Sequence, residues 1–251
     1  MKDVVIVGMG QLGSVFAHAF LRAGRRVVPV NRGDDPRASD MVPELGVELA
    51  IVAVGEADLQ SVVATLPEAW PLVLVQNGLL PSAWSRWHAE PTVGVIWFEK
   101  KKGVPLNVIR SSPIGGPHAG TIVDALAGID LPAHAVSGAE LVDELVLKNV
   151  YIVTFNVLGL AHGGTVGELW SQRRSEVDAI VGEVLDVQEA LLARKVDRAR
   201  IARGLDEAVQ GDPEHGARGR TAPARLKRVL GEADRHGIGA KALRSLAARV
   251  S

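Results

Sequence analysis

The sequence predicts an α/β fold, a largely parallel sheet with its helices, followed by an all-helical C-terminal domain. Three observations carry it. Short Val/Ile-rich runs alternate with amphipathic stretches through the first half, a glycine-rich turn follows the first run, and after Ser137 strand signals give way to helical patterns. The runs span residues 4–7, 27–30, 49–54, 72–75 and 93–97. They are continuously apolar, as expected of strands covered by helices on both faces. A further extended segment is expected over 104–109. The Pro- and Gly-rich stretch 111–120 is read as an interruption, before a helical stretch to about 126. A boundary near 137 divides a first domain, 1–137, from a second, 138–251. Within the second, residues 145–161 are apolar almost all round, the pattern of a helix buried in a core or at an interface. Lys148, Asn149 and Asn156 lie inside that run, and a Lys in hydrocarbon is costly, so no membrane span is expected.

Composition narrows the function classes. The 251 residues are 47% hydrophobic, enough for a substantial core, and 28 basic residues balance 29 acidic ones. That balance offers neither a nucleic-acid footprint nor an electrostatic membrane anchor. Cysteine is absent, which removes disulfides, thiolate metal sites and cysteine nucleophiles. The first residues run straight into a strand-like segment with no signal-peptide pattern, so a cytoplasmic location is expected. Seven histidines are scattered without metal-ligand spacing, and no zinc site is expected. No nucleophile elbow is present, and the glycine turn lacks the Lys-Ser/Thr ending of a triphosphate-binding loop.

The string Gly8-Met9-Gly10-Gln11-Leu12-Gly13 follows the first strand and opens a helical stretch that ends at Gly24. Glycines at this spacing permit a tight turn, a close backbone approach to a pyrophosphate and packing of helix on strand, while the helix N-terminus offers N–H groups to phosphate. The first domain is therefore read as a Rossmann-type dinucleotide-binding domain. Its second strand ends in Asn31-Arg32, where an NAD site typically places an acid for the ribose hydroxyls. Arg32 offers a planar donor fork to a 2′-phosphate, with Asn31 beside it, so NADP(H) is the expected cofactor. Asp34 and Asp35 stand close by, and a solvated loop arginine is the competing reading.

Several strings together resemble the ketopantoate reductase family, whose members reduce a branched 2-oxo acid with NADPH. They are the glycine turn, Asn31-Arg32, Gln76-Asn77-Gly78 after a strand, Lys148 and Asn156 on one helix, Thr165-Val166-Gly167-Glu168-Leu169, and His236-Gly237-Ile238. The resemblance implies that Lys148 is the general acid that protonates the carbonyl oxygen as hydride arrives. It also implies that Asn77 lies beside nicotinamide and substrate, and that Asn156 contacts substrate. An ammonium suits that task, because hydride addition to a ketone develops negative charge on oxygen. Lys148 and Asn156 are eight residues apart, a rotation of about 80°, so they line adjoining parts of one face.

The pattern also departs from the family. Ile152 stands where the family has a second Asn, and Tyr151 offers a hydroxyl nearby. Thr221 stands where it has a Glu, within a segment carrying Arg218, Arg220 and Arg225, one of which is a candidate partner for a substrate carboxylate. Gly55-Glu56-Ala57 follows the third strand, where the family often has a Lys. The expected activity is NADPH-dependent reduction of a 2-oxo acid, 2-dehydropantoate to pantoate or a related pair. The alternative is a diverged NADP(H)-binding protein that acts as a cofactor sensor or partner scaffold. The expected partner is a small 2-oxo acid, with no nucleic acid or membrane, and the buried helices of the second domain could also form a homodimer interface.

Overall fold

The computed structural model describes residues 3–36, 46–78, 80–85 and 90–250. The chain divides into two compact units inside one long helix, the first ending at Leu145 and the second beginning at Val146.

The first unit is built on β1 (Asp3–Val7), α1 (Gln11–Arg22), β2 (Val27–Val30), β3 (Val47–Val52), α2 (Leu59–Val63), β4 (Leu72–Leu74), α3 (Pro81–Trp84) and β5 (Thr92–Gly94). The chain continues through β6 (Phe98–Glu99), β7 (Asn107–Val108), β8 (Ser112–Gly115), α4 (Ala119–Ala127) and β9 (Ala133–Val136). Seven strands form one sheet in the order β2-β1-β3-β4-β5-β8-β9, and β6 pairs with β7 separately. Strands β1 to β5 are mutually parallel, which agrees with their continuous apolar runs. Strand order reverses around β1, with β2 on one side and β3 on the other, and ligands of such sheets bind beyond the carboxyl ends of the strands at this point.

The core lies between the sheet and helices α1 and α4. Val4, Ile6, Leu49, Ile51 and Val73 from the strands meet Phe16 and Phe20 from α1 and Ile122 and Leu126 from α4. Each large side chain buried here contributes about 1.5–3 kcal/mol, so α1 is held firmly against the strand that precedes it.

Two expectations need correction in this unit. The run 93–97 pairs as a strand only to Gly94, and the stretch read as an interruption contains β8, antiparallel to β5 and parallel to β9. Pro113 fits this buried strand because only its carbonyl is called on, accepting the Val95 N–H at 2.9 Å.

The second unit is helical, like the sequence expectation for this half. α5 (Gly138–His162) runs into it, followed by α6 (Val166–Gln172), α7 (Arg174–Leu192), α8 (Arg198–Gly211), α9 (Ala222–Arg235) and α10 (Lys241–Val250). By length and composition α5 passes as a membrane span, yet 78% of its most apolar window is buried within the protein. Polar side chains fix the neighbouring helices. Both oxygens of Glu183 accept the Ala242 and Leu243 N–H groups at 2.7 and 2.9 Å, so a carboxylate from α7 caps α10. Glu189, 5% exposed, receives Arg198 at 2.7 Å and Lys195 at 2.7 Å and ties the end of α7 to the start of α8.

Candidate cofactor and active site

The turn between β1 and α1 shows why three glycines are spaced as they are. Gly8 has φ +92°, open to glycine at little cost, and a Cβ there would lie 2.9 Å from Val54 Cγ1. A Cβ on Gly13 would lie 2.1 Å from the Gly8 carbonyl oxygen, so only glycine lets α1 pack this close to the turn. Gly10 differs, since a Cβ there would meet nothing within 4 Å. Its lack of a side chain leaves space in front of the helix and is not needed for internal packing. Gly10 is also the N-cap of α1 and makes no side-chain cap, which leaves the first N–H groups of the helix available to a ligand. Met9 and Gln11 are exposed at the same end and Leu12 is half-buried. The arrangement suits a pyrophosphate, whose oxygens need N–H donors and close approach.

A cleft of about 550 Å3 opens at this turn. Val7 and Gly8 line it from the end of β1, Val30 to Asp34 from the end of β2, and Val54, Gly55 and Asp58 from the segment after β3. The wall is therefore made by the carboxyl ends of the three strands at the reversal in strand order, together with Ser61, Val62, Thr65 and Leu66 from α2 and the turn after it. Asn31 donates its backbone N–H to Asp34 Oδ2 at 2.6 Å, which shapes the loop after β2. Arg32 is 91% exposed at the side chain and its Nη2 lies 3.3 Å from Asp58 Oδ2. An exposed pair of this kind is worth about 0–1 kcal/mol, so the guanidinium is readily exchanged onto a phosphate. Asp58, 26 positions away, was not anticipated from sequence, where nothing marked it as a neighbour of Arg32.

Gln76, Asn77 and Gly78 form the turn that ends β4. Gln76 is 6% exposed. Its Nε2 donates to the Val52 carbonyl at 2.6 Å and to the Val54 carbonyl at 3.3 Å, while its Oε1 accepts the Val75 N–H at 3.1 Å. The amide thus ties the end of β4 to the end of β3. Half-buried Asn77 follows it, and Gly78 at φ +71° completes the turn. Gln76 holds this turn against β3, a task its place in the sequence string does not reveal. A lone Gln directly after a buried strand was the available signal.

In the helical unit Lys148 is 7% exposed, with its Nζ 5.7 Å from the centre of the Tyr151 ring. An ammonium over an aromatic face is stabilised by the ring quadrupole. Asn156 is half-buried and its amide is engaged at both ends. Nδ2 donates to the Ala217 carbonyl at 3.1 Å, and Oδ1 accepts Nη1 of Arg225 at 2.7 Å. Glycines make this possible, because a Cβ on Gly159 would lie 2.7 Å from the backbone at Ala217 and Arg218, and one on Gly219 would lie 2.5 Å from Asn156 Oδ1. Ile152 is half-exposed, and Thr221 is the exposed N-cap of α9 with no capping hydrogen bond from its side chain.

The string Thr165 to Leu169 has a structural account. Thr165 and Glu168 make a reciprocal capping box at the start of α6. Val166 and Gly167 donate backbone N–H groups to His215 and Pro213 at 2.8 Å each, and a Cβ on Gly167 would lie 2.8 Å from Pro213. The string anchors the loop that leads to Ala217 and so to the contacts of Asn156.

No family model matches the chain. No curated protein matches it significantly. Solved structures do resemble it over nearly its whole length. The 2-dehydropantoate 2-reductase of Methylococcus capsulatus aligns with 98% of this chain and 94% of its own at 16% identity, with a TM-score of 0.70. A dimeric ketopantoate reductase from Staphylococcus aureus covers 99% and 97% at 16% identity and a TM-score of 0.70. D-mandelate dehydrogenase, solved with NADH and anilino(oxo)acetate, covers 99% and 97% at 14% identity and a TM-score of 0.70. The chain has the fold these proteins share, a nucleotide-binding-type sheet unit followed by a helical one.

Proposed function

We propose that this protein is an NADPH-dependent reductase of a 2-oxo acid, similar in activity to the ketopantoate reductases. The observation that carries the reading is the glycine turn, whose open face at Gly10 and unsatisfied helix N-terminus adjoin a cleft at the ends of β1, β2 and β3. The pyrophosphate is held by the backbone from Gly8 to Gly13 with Met9, Gln11 and Leu12 around it. Arg32 takes the 2′-phosphate, with Asn31 at the ribose. Reduced nicotinamide supplies the hydride. Asn77 orients the reacting groups, and Lys148 donates the proton to the carbonyl oxygen on which negative charge develops. Asn156 serves the substrate indirectly, its Oδ1 holding the Arg225 guanidinium. The assembly is a homodimer, as in the Staphylococcus aureus protein of the same fold.

Among the neighbours, D-mandelate dehydrogenase was solved with NADH. NADP(H) is preferred here because the tip of β2 carries Asn31-Arg32 and no acid. The second reading, a cofactor-binding sensor or scaffold without turnover, is favoured by the apolar Ile152 and the uncharged Thr221. Absorbance assays of NADPH oxidation with ketopantoate and a panel of 2-oxo acids separate the two. Turnover that collapses in Lys148→Ala supports the reductase, whereas tight NADPH binding with no turnover on any acid supports the sensor.

A further inference from the structure

Arg225 is the cation in the helical unit whose surroundings do not account for it. It sits in the first turn of α9, half-buried, and its guanidinium makes one hydrogen bond, to the neutral amide of Asn156, with no ion pair to any described residue. Burial holds its pKa below the ordinary guanidinium value. Other arginines of the unit are matched: Arg198 meets Glu189 and Asp186, Arg174 meets Asp178, and Arg244 meets Asp234. Drawing a guanidinium out of water without a counter-charge is costly, and the planar fork that remains suits a carboxylate. The position is also built. Asn156 fixes the guanidinium at 2.7 Å, and Gly159 and Gly219 give the loop before α9 the room to approach α5.

The spacing along α5 adds a condition on the ligand. Lys148, Ile152 and Asn156 follow at four-residue steps, so the ammonium and the Asn156–Arg225 pair belong to Cα positions about 12 Å apart along the axis. Half-exposed Ile152 stands between them. In a simple 2-oxo acid the carboxylate is bonded directly to the carbonyl carbon, which leaves the whole two-turn offset to be closed by the Lys148 and Arg225 side chains. A second carboxylate beyond a short aliphatic stretch past Ile152 takes up part of that offset.

We propose that Arg225, held by Asn156, docks a second carboxylate of the substrate, carried at the far end of a short aliphatic chain from the carbonyl that Lys148 protonates. The substrate class is then a 2-oxo diacid. This rests on the reductase reading above. Asn156 is a positioning residue, and Arg218 and Arg220, both exposed, are not part of the site.

The test is kinetic. The full-length protein is assayed with NADPH against chain-matched pairs, 2-oxoglutarate with 2-oxopentanoate and 2-oxoadipate with 2-oxohexanoate. The wild type favours the diacid in kcat/KM by on the order of tenfold to hundredfold, the effect of one charge-assisted contact. Arg225→Met erases that preference through the diacid KM, Arg225→Lys keeps part of it, and thermal unfolding shows that both variants are folded. Equal use of the monoacid and the diacid by the wild type overturns the inference, as does an equal loss on both in Arg225→Met. If neither acid is reduced by any protein, the reductase reading falls. Calorimetry with glutarate, using NADP-loaded wild type and Arg225→Met, then decides Arg225 separately: binding lost in the variant supports it, and equal or absent binding overturns it.

Discussion

At the scale of single residues, the three glycines of the first turn perform different tasks and predict different variants. Gly13→Ala places a methyl against the Gly8 carbonyl at 2.1 Å and must shift α1 or the turn. Its stability should fall even without cofactor, by about 1–3 kcal/mol in the manner of other overpacked sites, and a melting curve reads the loss as a lower thermal midpoint. Gly10→Ala meets nothing within 4 Å. That variant should fold with wild-type stability yet lose NADPH affinity, because the methyl occupies the space the phosphate needs; fluorescence titration alongside a melting curve checks both halves. Arg32→Ala should weaken NADPH about tenfold to a hundredfold and leave NADH nearly unchanged, since Asp58 is its only present partner among the described residues and an exposed pair is worth little. Equal weakening of both cofactors would remove Arg32 from the 2′-phosphate.

At the scale of elements, the helical unit is tied by a few charged and polar groups whose loss is measurable. The Arg198 hydrogen bond, with those of Lys195 and the Val196 N–H, brings the Glu189 carboxyl from its ordinary 4.5 to about 2 against the effect of burial. Because this pKa is lower folded than unfolded, the stabilisation is complete above about 4.5 and fades as the pH falls toward about 2. Glu189→Gln should therefore cost roughly 1–3 kcal/mol at neutral pH, with the difference from wild type shrinking through that window in denaturant titrations. Thr165→Ala removes half of the capping box at α6 and should cost about 1 kcal/mol. The same loop reaches Ala217, so this variant should also disturb the Asn156–Arg225 pair more than its distance in sequence suggests.

At the scale of the whole molecule, what could be read in advance was what is local in sequence. β1, the glycine turn and α1 are contiguous, and their run of apolar residues, glycines and amphipathic helix carries both the local fold and the proposed ligand chemistry within about two dozen positions. The alternation of strands and helices carried the parallel sheet for the same reason. β8 escaped because proline reads as a breaker, and only its partners reveal that the missing N–H is not required. The helical unit followed from pattern, but its polar contacts did not. Asn156 and Arg225 lie 69 positions apart, and nothing short of the folded loop at 217–219 brings them together. Thr165 to Leu169, part of the family resemblance, supports that loop by capping and packing. Fold thus rests on local pattern, while the site proposed for the substrate rests on long-range contacts.

The central claim is that this chain moves a hydride to a 2-oxo carbon and that Lys148 supplies the proton. NADPH deuterated at the transferring position of nicotinamide C4 tests it most directly, with mass analysis of the acid recovered after incubation. The account predicts a 2-hydroxy acid carrying one deuterium at C2 with wild-type protein and a near-complete loss of that product with folded Lys148→Ala. Unlabelled, unreduced acid from every member of the panel, despite bound NADPH, would contradict it.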